Sequence, residues 1–258
     1  MGLARVFIDM NVRLSRAIDG LLPSRLRRDG NRTFLADFAP HALQPGAVLY
    51  DVGGGSQPFV NGAAKQQYDM TVIGLDISAD EMANAPAGIY DRMIATDLCT
   101  YRGDGDADVV MCQATMEHVP DGAGAIAAIA SILKPGGRAF IFAPSRNALF
   151  ARLNLLLPQA VKEKILFALF PAKATGHDGF PAFYDNCTPR QIAALAAKNG
   201  LVVEQRVLFW TSSYFTIFVP AYLVWRAYQG LSYLFRGDNA AETFIFVLAK
   251  PPKVDDAR

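Results

Sequence analysis

The chain has 258 residues, with 25 lysines and arginines against 24 aspartates and glutamates and a formal net charge of +1. That balance supplies no long-range attraction to a polyanion, which excludes nucleic acid as a partner on charge grounds. The length suffices to bury a full core, while a hydrophobic content of 52 % and a mean hydropathy of +0.17 are high for a soluble enzyme, because apolar residues gather in a few stretches.

Residues 1–22 place Val6, Phe7, Met10, Leu14, Ile18 and Leu21 at helical spacing, with Arg5, Asp9, Arg13 and Arg16 between them, the pattern of an amphipathic helix. No uninterrupted apolar run follows a basic start, so no cleaved signal peptide is expected. Arg25, Arg27, Arg28 and Arg32 form a local basic cluster that is either a solvated face or a contact to anionic lipid or phosphate. A helix over 33–43 completes a helical segment, residues 1–44, ahead of a domain over 45–250 and a loose tail, 251–258.

The stretch Val48–Gln57, VLYDVGGGSQ, runs from a short apolar strand through Asp51 into consecutive glycines, as a buried parallel strand does when it ends in a ligand-binding loop. Gly53, Gly54 and Gly55 lack a Cβ, so a ligand can approach the backbone amides closely. A dinucleotide fingerprint would need glycine where Pro58 stands, which disfavours a nicotinamide oxidoreductase. A second apolar run, Thr71–Ile77, places Asp76 at a strand's carboxyl end, where an acid can accept hydrogen bonds from ribose hydroxyls. Residues 59–67 are a poor helix, with Asn61 and Gly62 inside. Ser78 and Glu81 form a capping box for the next helix, which Pro86 stops. A third strand, Arg92–Ala95, leads to Asp97, and a fourth, Ala107–Cys112, to Gln113 and MEHVPD. Asp121 caps a helix through Leu133, and a turn at Lys134–Gly137 feeds the strand Arg138–Ala143. This alternation argues for an α/β fold with a parallel, doubly wound sheet.

Taken in order, DVGGGS, GLDIS, ATDL, ADVVMCQATMEHV and ILKPGGR resemble the successive motifs of class I S-adenosylmethionine-dependent methyltransferases, over roughly Val48–Ala143. The resemblance implies a seven-stranded, mostly parallel Rossmann-like sheet with an antiparallel last strand. It also implies that Asp51, Gly53 and Gly55 face the methionine part of S-adenosyl-L-methionine, Asp76 the ribose, and Asp97 with Leu98 the adenine, with Ile77 and Gln113 completing the cofactor set. Gln57 stands where the family's third glycine usually lies.

Residues 145–186 depart from the alternation. Phe150–Leu157 and Val161–Phe170 are apolar helical patterns divided by Pro158, followed by a turn-rich loop with Gly176, His177, Gly179, Phe180, Phe183 and Tyr184, a plausible acceptor wall. Thr188 as cap and Pro189 at the first helical position start a helix that Gly200 ends. A sixth strand, Leu201–Phe209, leads into the uncharged stretch Val207–Trp225. Its polar residues and Pro220 argue against a membrane span. Tyr214, Phe215, Phe218, Tyr222, Trp225 and Tyr228, with Arg226 and Arg236, read either as an interfacial helix over 210–236 or as packing against the protein or a second subunit. Thr243–Ala249 is the last strand.

Methyl transfer from a sulfonium is an in-line displacement, so the protein holds the acceptor behind the methyl and excludes water. His118, directly after the fourth strand, suits a base for a hydroxyl acceptor; His177 and Tyr184 are further candidates. The alternative for His118 is a helix-start histidine bonded to backbone. CQATMEHV is also similar to the CxExxEHV stretch of quinone-biosynthesis O-methyltransferases, in which acids and histidine can hold a divalent metal. Here Ala114 replaces the first acid, so no metal site is expected. Cys99, Cys112 and Cys187 are widely spaced and odd in number, the usage of buried thiols in a reducing, cytoplasmic setting. The reading is a methyltransferase acting on a hydrophobic or lipid-linked acceptor, peripheral to a membrane. The alternatives are a methyltransferase of a soluble sugar or small metabolite, with the aromatic segment as a homodimer interface, and a non-catalytic cofactor-binding scaffold.

Overall fold

The computed structural model describes residues 3–157 and 181–252. Its centre is one seven-stranded sheet in the order β3-β2-β1-β4-β5-β7-β6. The strands are β1 (Val48–Val52), β2 (Thr71–Asp76), β3 (Arg92–Ala95), β4 (Ala107–Gln113), β5 (Leu133–Pro144), β6 (Val202–Phe209) and β7 (Thr243–Ala249). β1 to β5 pair in parallel, and β7 runs antiparallel between β5 and β6. This is the mostly parallel, doubly wound sheet expected from the sequence. One detail differs: β5 begins at Leu133, opposite Ala107, and a register shift between Ala107 and Val109 absorbs the Lys134–Gly137 stretch that reads as a turn.

Both faces of the sheet are buried, and the period-two alternation of side chains divides the core in two. Val110, Cys112, Ala139, Ile141, Phe244 and Phe246 point to one side, where they meet Ile126 and Ile129 of helix Gly122–Ile132 and Ile192 and Ala196 of helix Pro189–Lys198. Val109, Met111, Phe140, Phe142, Ile245 and Val247 point to the other, against Phe34, Phe38 and Met82. All three cysteines are buried and unpaired, and burial pushes the Cys112 thiol up to about 12.

Among the described residues the helices, in chain order, are α1 (Leu3–Gly20), α2 (Gly30–Thr33), α3 (Ala39–Ala42), α4 (Gly62–Tyr68), α5 (Ala79–Ala83), α6 (Gly122–Ile132), α7 (Leu149–Leu156), α8 (Pro189–Lys198) and α9 (Val219–Arg236). The caps of α5, α6 and α8 are the predicted ones: Ser78, Asp121 and Thr188 each accept a hydrogen bond from a first-turn amide. Asn61, read from sequence as a helix breaker, is instead the N-cap of α4, accepting from the Ala64 amide at 2.9 Å; an asparagine favours a cap for the same reason that it weakens a helix interior. The helix expected over 33–43 starts earlier, at Gly30, with Asp29 as its cap. It widens into a π-turn at Phe34–Phe38, where the Ala39 amide donates to the Phe34 carbonyl. Pro40 follows; its ring cannot sit against the carbonyl four residues back, and the wider turn relieves that clash.

The final connection divides the two readings of the aromatic segment 210–236. Tyr222 and Trp225 are fully buried and Arg226 is drawn inward, so the packing alternative holds for these three residues. No helix among the described residues is long and apolar enough to cross a membrane. The expected second apolar pattern, Val161–Phe170, and His177 lie outside the described residues, as does most of the tail.

Candidate active site

In a parallel sheet the carboxyl ends of the strands lie along one edge, and the loops leaving them share one cleft. Here that edge gathers the Gly53–Gln57 loop after β1, Asp76 and Ile77 after β2, Asp97 and Leu98 after β3, and Gln113 to His118 after β4. With Asp51, the penultimate residue of β1, these are the cofactor-facing residues expected from the sequence, on four consecutive strands, β3-β2-β1-β4.

The glycine loop is held in place at several points. Gly53 (φ +75°) donates from its amide to the Leu75 carbonyl of β2 at 2.8 Å, and a Cβ here would collide with the Thr115 side chain. A Cβ on Gly54 would run into the Asp51 carboxylate. Gly55 (φ +51°) has more room, its nearest neighbours being Glu81 Cβ at 3.4 Å and Asp76 Oδ2 at 3.5 Å from an ideal Cβ. Without side chains the loop closes tightly against β2 and Thr115, which sets Gly55 directly beside Asp76.

Asp51 is 4 % exposed. Its Oδ2 accepts from the Phe59 amide at 2.7 Å and from the Tyr90 hydroxyl at 3.3 Å, so this carboxylate braces the loop from below. Burial pushes its pKa up to about 6, against the lowering effect of those two hydrogen bonds. Burial likewise raises Asp76, whose Oδ1 accepts from the Ser78 amide at 2.9 Å. Ile77 is 69 % exposed at the rim. Asp97 Oδ1 accepts from the Cys99 amide at 2.8 Å, while the Leu98 side chain turns into the core. Gln113 donates to Asn31 Oδ1 at 2.8 Å, which ties the α2 start over the end of β4.

After β4 the chain turns at Ala114 (φ +54°), and Thr115 Oγ1 donates to the Val52 carbonyl at 3.1 Å. Glu117 is buried, and its carbonyl accepts from the Phe183 and Tyr184 amides at 2.8 and 3.0 Å. Its Oε2 has no hydrogen-bond partner, and burial pushes the carboxyl up to about 8. His118 remains partly exposed; its Nδ1 lies 3.1 Å from the Pro181 carbonyl. A carbonyl only accepts, so Nδ1 carries the hydrogen, and Nε2 is the ring nitrogen left to accept a proton. Tyr184 is 3 % exposed within the core, and burial raises its phenol far above the ordinary range. The structure therefore places Tyr184 as a packing residue rather than a base in the cleft. Ala114 brings no side-chain ligand to this turn and the Glu117 carboxyl faces inward, with burial raising its pKa to about 8, so this stretch does not form the acid set of a divalent-metal site.

Tyr90 was not legible as a site residue in the sequence, because nothing local marks it. Its hydroxyl reaches both Asp51 Oδ2 and, at 3.1 Å, the Gly55 carbonyl. Asn31 and Thr115 belong to the same group, since each meets the cleft only through folding.

Comparison with known proteins agrees with this arrangement. Residues 24–206 match the family described as "Methyltransferase domain". The chain is 28 % identical over 190 residues to the ubiquinone biosynthesis O-methyltransferase of Thiobacillus denitrificans, covering 71 % of this chain and 72 % of that one. It spans about half the length of further relatives of the same description. Among solved structures, Haemonchus contortus phosphoethanolamine N-methyltransferase 2 in complex with S-adenosyl-L-methionine superposes with a TM-score of 0.52 at 18 % identity, over 86 % of this chain and 52 % of that one. Geranyl diphosphate C-methyltransferase from Streptomyces coelicolor, with Mg2+, geranyl-S-thiolodiphosphate and S-adenosyl-L-homocysteine, gives 0.51 at 18 % identity, over 83 % and 74 %. The glycine loop, the serial strand-end acids, the strand order and the sequence match agree, and the chain belongs to the class I S-adenosylmethionine-dependent methyltransferases.

Proposed function

We propose that this methyltransferase transfers its methyl group to a hydroxyl of a hydrophobic, lipid-linked acceptor beside a membrane surface, with His118 as the general base. The observation that carries this reading is where the exposed apolar side chains lie. Leu153 and Leu156 of α7, which follows β5, and Leu231, Leu234 and Phe235 of α9, which joins β6 to β7, are all exposed. α7 leaves the carboxyl end of β5, and α9 is fastened to the end of β6 by hydrogen bonds from Arg226 and Gln229 to the Trp210 carbonyl. The apolar surface thus stands at the cleft's own edge of the sheet. The ubiquinone-pathway O-methyltransferase and the geranyl diphosphate methyltransferase found by comparison carry names that point to the same acceptor class.

S-adenosylmethionine supplies an electrophilic methyl on a sulfonium. Asp76 would hold the ribose, and the Gly53–Gly55 loop, whose backbone no Cβ shields, would pack against the methionine end. His118 Nε2 accepts the proton of the acceptor hydroxyl as its oxygen bonds to the methyl carbon and the carbon–sulfur bond breaks. The electron pair leaves on a neutral thioether, and the proton stays on the imidazole. The Nδ1 bond to Pro181 keeps the ring in the required tautomer.

The test incubates the protein with a lipid extract of its own cells and radiolabelled S-adenosylmethionine, then follows label into the organic phase. Label in a lipid product, reduced by about 10²-fold or more in His118→Ala with unchanged cofactor affinity, is the expected outcome. Label confined to water-soluble products would overturn the lipid acceptor and leave a small soluble metabolite as the substrate.

A further inference from the structure

A helix on a globular protein normally turns its apolar stripe inward and its polar face to water. In α1 the reverse holds. Val6, Met10 and Leu14 are each about half exposed, at 50, 52 and 50 %, with Phe7 beside them, and Leu21 continues the line just past the helix. The opposite stripe, Asn11, Ser15 and Asp19, faces the protein: Asn11 and Ser15 are buried and Asp19 is half-buried. α9 is arranged likewise, with Leu223, Val224, Leu231, Leu234 and Phe235 outside and Gln229 and Ser232 buried beside Tyr222 and Trp225.

The orientation of α1 is fixed by polar bonds that span most of the chain. Ser15 donates to the Thr216 carbonyl at 3.1 Å, and the Val219 amide donates to Asn11 Oδ1 at 3.0 Å. Asp19 accepts from both the Tyr222 hydroxyl and the Arg226 guanidinium. If α1 rolled to bury Val6, Met10 and Leu14, all of these bonds would break and Arg226 would lose its counter-charge, so the outward apolar arc is a specified feature.

Charge identifies what covers it. Residues 1–32 carry seven arginines and three aspartates, and residues 210–236 two arginines and no acid, so these segments hold +6 of a chain whose net charge is +1, leaving −5 for the rest. Arg5, Arg13 and Arg16 are exposed along α1 next to its apolar arc. A second copy of this chain would bring like charge against like. An anionic bilayer complements both the apolar stripes and the arginines that flank them.

We infer that the outward faces of α1 and α9 are a docking surface for an anionic lipid bilayer, which sets the carboxyl edge of the sheet, and the cleft on it, against the membrane. This deepens the lipid-linked acceptor reading and rests on it for the purpose of docking, though not for the docking itself. An acceptor held in the bilayer would enter the cleft between α2, tied to β4 through Asn31 and Gln113, and the α7–α9 side, where the Tyr228 hydroxyl donates to the Asn147 carbonyl at 3.1 Å.

The full chain is sedimented with vesicles of phosphatidylcholine containing about one quarter phosphatidylglycerol, and with pure phosphatidylcholine, at low and high salt. The expected result is partition onto the anionic vesicles that weakens with salt. It should fall at least about tenfold in Met10→Glu with Leu14→Glu, and equally in Leu234→Glu with Phe235→Glu. Arg13→Gln with Arg16→Gln should cost about twenty-five-fold at low salt and little at high salt, each arginine near an anionic surface being worth about fivefold. Circular dichroism and cofactor titration establish that each variant is folded. Three outcomes overturn the inference: wild type remaining in the supernatant of both vesicles, variants that pellet as wild type does, or a dimer in light scattering that these substitutions dissociate. Vesicle binding with no cofactor binding would sink the methyltransferase assignment instead, and vesicle binding with only water-soluble product would sink the acceptor reading.

Discussion

The phenolic oxygen of Tyr90 lies 3.3 Å from Asp51 Oδ2 and 3.1 Å from the Gly55 carbonyl, so one buried side chain bridges the acid that ends β1 and the loop that follows it. Its single hydrogen is shared between two acceptors, and burial together with the Asp51 charge raises its own pKa far out of reach. Tyr90→Phe keeps the ring, which packs on Gly74, and removes only the hydroxyl. The expected effect is a loss of about 1–2 kcal/mol in stability and cofactor affinity weakened by about tenfold, a further 1.4 kcal/mol in binding. Thermal melts and calorimetric titration check both; an unchanged affinity would mean that Phe59 alone braces Asp51.

The two left-handed glycines of the loop should respond unequally. At Gly53 an added methyl collides with Thr115 while the backbone holds φ +75°. Gly53→Ala should therefore cost about 3 kcal/mol and abolish measurable cofactor binding. At Gly55 the nearest atom is 3.4 Å away, and only the conformational cost remains. Gly55→Ala should cost about 1 kcal/mol and retain binding. Equal losses in urea denaturation would show that crowding by Thr115 is not what distinguishes them.

Burial holds the carboxyls of Asp51, Glu242 and Glu117 up to about 6, 7 and 8. In the unfolded chain each ionises in the ordinary carboxylate range, so between about pH 4 and 8 the folded state binds more protons. The stability these groups provide is thus complete below pH 4 and is lost as pH rises through their folded values. Glu117→Gln removes the largest part. It should match wild type near pH 4 and exceed it above pH 8, by at most about 5 kcal/mol. Urea midpoints across pH test this, and parallel curves for the two proteins would refute it.

Asp19 and Arg226 form an ion pair with side chains only 14 and 12 % exposed, and Arg226 also donates to the Trp210 carbonyl at 2.9 Å. Asp19→Asn leaves a half-buried guanidinium without its counter-charge and should destabilise by about 3 kcal/mol. Hydrogen exchange should then rise first in residues 3–20, because their bonds to the 216–226 stretch depend on the helix register that Asp19 fixes. Uniform exchange over the whole chain would instead place α1 in the global folding unit.

The sheet, the order of its strand-end loops and most caps are readable from local signals: apolar runs bounded by glycine or an acid, and a capping residue one position ahead of its helix. Asp51, Gly53, Gly55, Asp76, Asp97 and Gln113 could be placed on one edge because each lies within two or three residues of its strand's end, and parallel strands bring those ends together whatever the packing details. Which side chains face the cleft depends on long-range packing that no local pattern carries. That packing sent Tyr184 and Leu98 into the core, supplied Tyr90 from beyond β2, and turned Tyr222 and Trp225 inward. The outward roll of α1 is the sharpest case. Helical spacing shows that Val6, Met10 and Leu14 share an arc, but periodicity carries no sign, and the direction of that arc was set by hydrogen bonds and a charge pair to residues about two hundred positions away.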